Sequence, residues 1–138
     1  MTARPVLLVE DDPSDVLLMT EALKASRGGA ELLVAADGAA AMELLRGPGP
    51  RPVLVLLDWR LPCLSGEGVL RAIRADADLR LLPVVVLTTS ASEADLRLAY
   101  SLGANAFVTK PTGLPALRAL VASVESFWLE QATLPPGP

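Results

Sequence analysis

The chain has 138 residues, half of them hydrophobic and only 4% aromatic, the length of one domain able to bury roughly two-thirds of its unfolded surface. A net charge of −4 and a pI near 4.8 argue against a nucleic-acid face, and the absence of histidine with a single cysteine, Cys63, excludes zinc sites, His-based catalysis and an internal disulfide. No apolar run approaches the ~20 residues of a membrane span, the N-terminus lacks the pattern of a signal peptide, and a reducing cytoplasm is the simplest location.

Strand and helix alternate five times. Val6-Leu7-Leu8-Val9 reads as a buried strand running into Glu10-Asp11-Asp12. Asp12 can cap a first helix, with Pro13 at its first position and Asp15 suiting the positive end of the dipole. That helix takes in Leu17, Leu18, Leu23 and Ala25 and stops at Gly28-Gly29. A second strand, about Glu31 to Ala36, has few large residues and belongs near an edge. Asp37-Gly38 opens an Ala-rich helix that ends at Gly47-Pro48-Gly49-Pro50.

Val53 to Leu57 is a third apolar run, ending at Asp58. A loop from Trp59 to Gly66 leads to a helix through Val69, Leu70 and Ile73. Pro83 starts a fourth strand, Val84 to Leu87, followed by Thr88-Thr89. Ser90 and Glu93 have capping-box spacing and predict a helix to about Leu102, ending at Gly103. A fifth strand, Ala106 to Thr109, meets Lys110-Pro111, and the last helix is expected from about Thr112 to Gln131. Residues 1–131 thus form one domain, and residues 132–138 a Pro-rich tail. The order predicts a flavodoxin-like, doubly wound α/β fold: five parallel strands, order 2-1-3-4-5, and five helices.

In such a sheet all carboxyl ends share one edge, where ligands bind. Glu10, Asp11, Asp58, Thr88 and Lys110 therefore converge. Three adjacent acids repel one another unless a cation relieves them, and a helix needs only Asp12 as its cap. Asp11 suits a direct ligand of Mg2+, with Glu10 a second ligand or an acceptor for metal-bound water. Asp58, at the end of a central strand opposite these acids, can act as a nucleophile toward an electrophile delivered beside a metal. Thr88 and Lys110 can hold phosphoryl oxygens, and a cis peptide before Pro111 would aim the lysine into the cleft. Of twelve basic residues, only Lys24 and Lys110 are lysines. Trp59 suits either the core or a cap on the site, and Cys63 either packing or a bystander role.

The joint pattern Leu-Leu-Val-Glu-Asp, Leu-Leu-Asp-Trp, Val-Leu-Thr-Thr-Ser and Gly-Ala-Asn-Ala-Phe-Val-Thr-Lys-Pro resembles the receiver domain of two-component response regulators over residues 5 to 130. The resemblance implies that Asp58 accepts a phosphoryl group from a sensor histidine kinase. It implies that Glu10, Asp11, Asp58 and the main-chain carbonyl of Arg60 bind Mg2+, that Thr88 and Lys110 are the hydroxyl and lysine of the site, and that Phe107 is the aromatic switch residue. The chain is then a phosphoacceptor rather than an enzyme on a separate substrate. Glu125 to Leu129 and Ala132 to Pro135, with Glu10 to Asp15, are similar to receivers associated with bacterial phytochromes, which tend to dimerise. Three residues depart from the common pattern. Phe107 lacks a phenol hydroxyl, Arg60 is bulky beside the acceptor, and Thr89 is larger than the small residue often found there.

Two rival readings use the same edge. A flavodoxin-like enzyme would want a phosphate loop, not three acids, after the first strand, and Asp58-Trp59-Arg60 lacks the second acid of a dehalogenase-type phosphatase. An unphosphorylated scaffold would not need the acid, hydroxyl and lysine together. No output domain is expected within these residues. Finally, Phe127, Trp128 and Leu129 span roughly 200° of a helix surface, more than one core-facing stripe. At least one of them points outward, and the patch of Phe127, Trp128 and Leu129 is expected to meet a homodimer partner built on the last two helices and the fifth strand, or else to lie under the tail through Leu134.

Overall fold

The computed structural model describes residues 5–24, 31–89 and 92–135. Its elements are β1 (Val6–Val9), α1 (Pro13–Lys24), β2 (Leu32–Ala35), α2 (Gly38–Arg46), β3 (Leu54–Asp58), α3 (Gly66–Ala75), β4 (Val84–Thr88), α4 (Glu93–Ser101), β5 (Ala106–Thr109) and α5 (Leu114–Val124), followed by a π-helical turn, Glu125–Gln131. All pairings are parallel, in the order β2-β1-β3-β4-β5, as the sequence predicts. β2 is an edge strand. No described helix is long and apolar enough to cross a membrane.

Period-two alternation divides the strand residues between two cores. Leu7, Val9, Val55, Leu57, Val84 and Val86 face one side and pack with Met42 and Leu45 of α2, Val69, Leu70 and Ile73 of α3, and Ala99 of α4. Val6, Leu8, Leu54, Leu56, Val85 and Leu87 face the other, against Met19, Ala22 and Leu23 of α1 and Leu117 and Val121 of α5. Burial on both faces is why the inner strands read as unbroken apolar runs. Leu17, by contrast, points to solvent.

Helix starts follow local capping chemistry. The Ala40 N–H donates to Asp37 Oδ1 at 2.7 Å, and the Gly68 N–H to Ser65 Oγ at 3.2 Å. For α4 the cap is Ser92, whose Oγ accepts from the Asp95 N–H at 3.0 Å. Ser90, from the predicted capping box, lies outside the described residues, as do Ala25 and the Gly28-Gly29 stop of the first helix. The last helix differs from expectation more clearly. It starts at Leu114, and from Glu125 it widens into the π turn, closed by the Ala132 N–H donating to Phe127 O at 2.7 Å.

That turn corrects one expectation. Leu129, predicted to share an outward patch, is 4% exposed and lies in the α1–α5 core. The core takes it because the α1–α5 side continues past Val121 into the widened turn. Trp128 and, from the tail, Leu134 are each half-buried against the same cluster. Phe127 alone of the three is well exposed, at 53%, with its ring edge-on to Trp128 at 5.1 Å between centroids.

Arg74 fastens the far end of α3 to the rest. Its guanidinium donates to Gly103 O at 2.7 and 3.0 Å, Leu82 O at 2.7 Å, Arg80 O at 3.1 Å and Asn105 Oδ1 at 3.0 Å. Asn105 Oδ1 also accepts the Val84 N–H at 2.8 Å, so one cation joins α3, the start of β4 and the α4–β5 loop. Removing it strands several part-buried carbonyls. Arg74→Met is expected to lower unfolding free energy by roughly 3 kcal/mol in a urea titration. Arg71→Ala, which loses only an exposed pair with Glu67 at 3.0 Å, is expected to change it by less than about 0.5 kcal/mol.

Candidate functional site

β1, β3, β4 and β5 deliver their last residues to one edge, and the side chains meet there. Carboxylate oxygens of Glu10, Asp11 and Asp58 all lie within 4.8 Å of one another. They differ in burial. Glu10 is 2% exposed, Asp58 is half-buried and Asp11 faces solvent. Lys110 Nζ makes a direct ion pair with Glu10 Oε1 and lies 3.1 Å from Asp15 Oδ2 and 3.9 Å from Asp58 Oδ2. The lysine reaches the site without a cis bond, since no peptide among the described residues is cis.

Burial pushes the Glu10 carboxyl up to about 7, against the hydrogen bond and charge of Lys110 and the Asp12 N–H; the charge of Asp58 adds to the rise. For Lys110, burial works against the ammonium. The bond to Glu10, the charges of Asp58 and Glu10 and the bond to Asp15 outweigh it and hold the group above the ordinary lysine range. One cation thus serves three acids, Glu10, Asp15 and Asp58, and Asp11 completes the cluster without it.

The Glu10–Asp12 turn is shaped by its own side chains. The Asp12 N–H donates to Glu10 Oε2 at 3.2 Å, and the Ser14 N–H to Asp12 Oδ1 at 2.8 Å. Asp12 is therefore occupied with α1, as a cap should be. Glu10 and Asp11 are left for the cleft. Three oxygens of this kind, on separate residues and with one side open, fit a divalent cation that keeps several waters.

Gly66 seats the loop that follows Asp58. A Cβ there would come 2.6 Å from Asp58 O and 2.7 Å from Trp59 Cα, and the Gly66 N–H donates to Trp59 O at 3.1 Å. Trp59 itself is buried in the α2–α3 core, and Cys63 is exposed with φ +67. Arg60 leans outward across the loop, with Nη2 3.4 Å from Asp95 Oδ2. Thr88 ends β4 almost fully buried at 1%, and its carbonyl accepts the Lys110 N–H at 2.8 Å. Phe107 is half-buried against the α2–α3 core, and its N–H donates to Tyr100 Oη at 3.2 Å. Sequence reasoning brought Glu10, Asp11, Asp58, Thr88 and Lys110 to this edge, but missed the bond from Asp15 to Lys110, the Arg60–Asp95 pair and the Tyr100 hydroxyl. A signal existed for the first, because Asp15 stands four residues after Asp11 at the start of α1.

Known proteins resemble this chain in sequence and fold. The chain is 46% identical over 135 residues to response regulator Rcp1 of Synechocystis sp., covering 94% of this chain and 92% of that one. It is similar to the crystal structure of the Mn2+-bound form of Rcp1, with TM-score 0.88, 45% identity and coverage of 96% and 99%. It is also similar to the phosphorylated cyanobacterial phytochrome response regulator RcpA, with TM-score 0.92, 41% identity and coverage of 98% and 100%. The family model of the response regulator receiver domain matches residues 6–122, and with the parallel sheet and acidic edge already in place, the chain belongs to that family.

Proposed function

We propose that Asp58 accepts a phosphoryl group from the phosphohistidine of a sensor kinase of the bacteriophytochrome kind, with Mg2+ held by Glu10, Asp11, Asp58 and the main-chain carbonyl of Arg60. The observation that carries this reading is the meeting of Asp58 with two further carboxylates inside 4.8 Å and an ammonium at 3.9 Å. The likeness to RcpA, a phytochrome response regulator solved in phosphorylated form, supports it, and the Mn2+-bound Rcp1 structure supports a divalent metal. The cytoplasm is the compartment where such a kinase domain would meet this chain.

In the proposed step an Asp58 carboxylate oxygen forms a bond to phosphorus as the P–N bond breaks. The electron pair stays on the imidazole nitrogen, which then takes a proton from solvent. Phosphoryl transfer needs positioning and charge stabilisation more than covalent help. Bound Mg2+ supplies neutralisation of the phosphoryl oxygens. Lys110 then exchanges Glu10 for a phosphoryl oxygen, and Thr88, at the end of the neighbouring strand, turns its hydroxyl to another. The added −1.5 to −2 charge draws both groups inward, and Phe107 follows by packing alone, since it has no phenol hydroxyl to trade.

Asp58→Asn keeps the volume and removes the nucleophile. With Mg2+ and a small phosphodonor, intact-mass measurement is expected to show one phosphoryl group on the wild type and none on this variant; full-extent phosphorylation of Asp58→Asn overturns the assignment. Asp11→Ala is expected to weaken Mg2+ binding by about tenfold or more in a calorimetric titration. Undiminished affinity removes Asp11 from the metal site.

The same reading includes a homodimer through the end of the last helix, now narrower than the patch expected from sequence. Phe127 is its centre, with the uncovered edge of Trp128, because Leu129 is inside the core and Leu134 already covers part of the cluster. A twofold contact would bury two Phe127 rings at once. Sedimentation at micromolar concentration is expected to give a dimer that Phe127→Ala weakens. A monomer at all concentrations, with and without a phosphoryl mimic, refutes it.

A further inference from the structure

Lys110 Nζ has three protons and faces three carboxylates: Glu10, in direct contact, Asp15 at 3.1 Å and Asp58 at 3.9 Å. Glu10 and Asp58 are also members, with Asp11, of the cluster whose oxygens converge within 4.8 Å. Asp15 is outside that cluster. A divalent cation that takes Glu10 and Asp58 therefore competes with Lys110 for two of its three partners and leaves it the third.

Asp15 is well placed to keep it. It is the third residue of α1, on a turn fixed by Pro13 and by the Ser14 N–H donating to Asp12 at 2.8 Å. Its side chain is 33% exposed, while that of Lys110 is 12% exposed. The bond therefore runs from the rim of the site to a mostly buried ammonium and spans 95 residues of sequence. A carboxylate in a first helical turn is favourable in any case, but the dipole does not require a lysine from β5 to reach across to it.

We propose that Asp15 is a positioning residue for phosphoryl transfer: it anchors one N–H of Lys110 at the rim, so that another is directed to a phosphoryl oxygen on Asp58 when a metal has claimed Glu10. The inference rests on the reading of Asp58 as the acceptor. Without the anchor a four-carbon side chain carries its charge over a range of positions, and orientation is what this chemistry needs.

The test follows phosphorylation by intact mass at saturating Mg2+ and saturating acetyl phosphate, for the full chain and five variants. Asp15→Ala is expected to slow the rate by about tenfold, as loss of a charge-assisted hydrogen bond would. Asp15→Asn loses the same charge but keeps an acceptor oxygen for Lys110, and is expected to stay within about threefold of wild type. Lys110→Ala is expected to be slow, and Asp15→Ala in that background no slower, because the two act through one contact. Asp15→Leu, branched like Asp but larger and without an acceptor, replaces the alanine variant should that fail to fold. Asn as slow as Ala, an additive double variant, or a lower melting temperature with unchanged rate each overturn the proposal. Asp58→Asn runs alongside as the fifth variant. If it becomes phosphorylated, the acceptor reading fails and this role falls with it; if it stays silent while Asp15→Ala reacts at the wild-type rate, only the role of Asp15 fails.

Discussion

The ion pair between Glu10 and Lys110 joins residues 100 positions apart and is the contact on which the acidic edge depends. Two carboxylates and an ammonium withdrawn from water would each be costly alone. Glu10 feels that cost directly, since burial lifts its carboxyl to about 7 even with the lysine in contact. A single ammonium cannot satisfy Glu10, Asp15, Asp58 and Asp11 together. The surplus of negative charge is therefore a property of this fold, of the kind a divalent cation relieves.

The surplus persists because the sheet holds it in place. β1 pairs with β3 from Val6–Leu54 to Val9–Leu57, and β3 with β4 from Val55–Val84 to Asp58–Leu87. With both faces buried, a one-residue slip would exchange every side chain between the two cores. The register that packs Leu7 and Val55 on one side and Leu8 and Leu56 on the other is thus the register that sets Glu10 beside Asp58. Apolar packing supplies the free energy that crowded carboxylates withhold. Gly66 serves the same end at shorter range, since a side chain there would meet the backbone of Asp58 and Trp59.

Most of this was legible in the sequence for a physical reason. Strands buried on both faces are written as uninterrupted Val/Leu runs, and parallel topology sends whatever follows each run to a common edge, so Glu10, Asp11, Asp58, Thr88 and Lys110 needed no distance information to be grouped. Side-chain direction within a helix was less legible. Phe127, Trp128 and Leu129 are consecutive and apolar, and an ideal α-helical projection does not anticipate the π turn in which Leu129 faces inward. Ser90 and Ser92 both offer capping hydroxyls, and the spacing to Glu93 favoured one while the spacing to Asp95 is the one used. For Asp15 the sequence offers only its place at the start of α1, four residues after Asp11, because a partner arriving from the end of β5 leaves no local trace.

The far side of the site shows how a local charge can reach a surface. β5 is an edge strand of four residues, paired only with β4, and Lys110 follows directly from it. Main-chain bonds flank it at both ends, the Asn105 N–H to Val84 O at 2.9 Å and the Lys110 N–H to Thr88 O at 2.8 Å, and a further bond runs from the Phe107 N–H to the Tyr100 Oη at 3.2 Å. The bond to Tyr100 joins β5 to α4 through a side chain that is itself half exposed. An edge strand fixed by one neighbour is easier to shift than β1 or β3, each held on two sides. In the proposed switch, displacement of Lys110 would pass along β5 to Phe107 and Tyr100. Strands held on two sides, β1 and β3, carry the acids, and an edge strand leads to the cation, an asymmetry suited to the proposed exchange of partners by Lys110 while its counter-charges stay still.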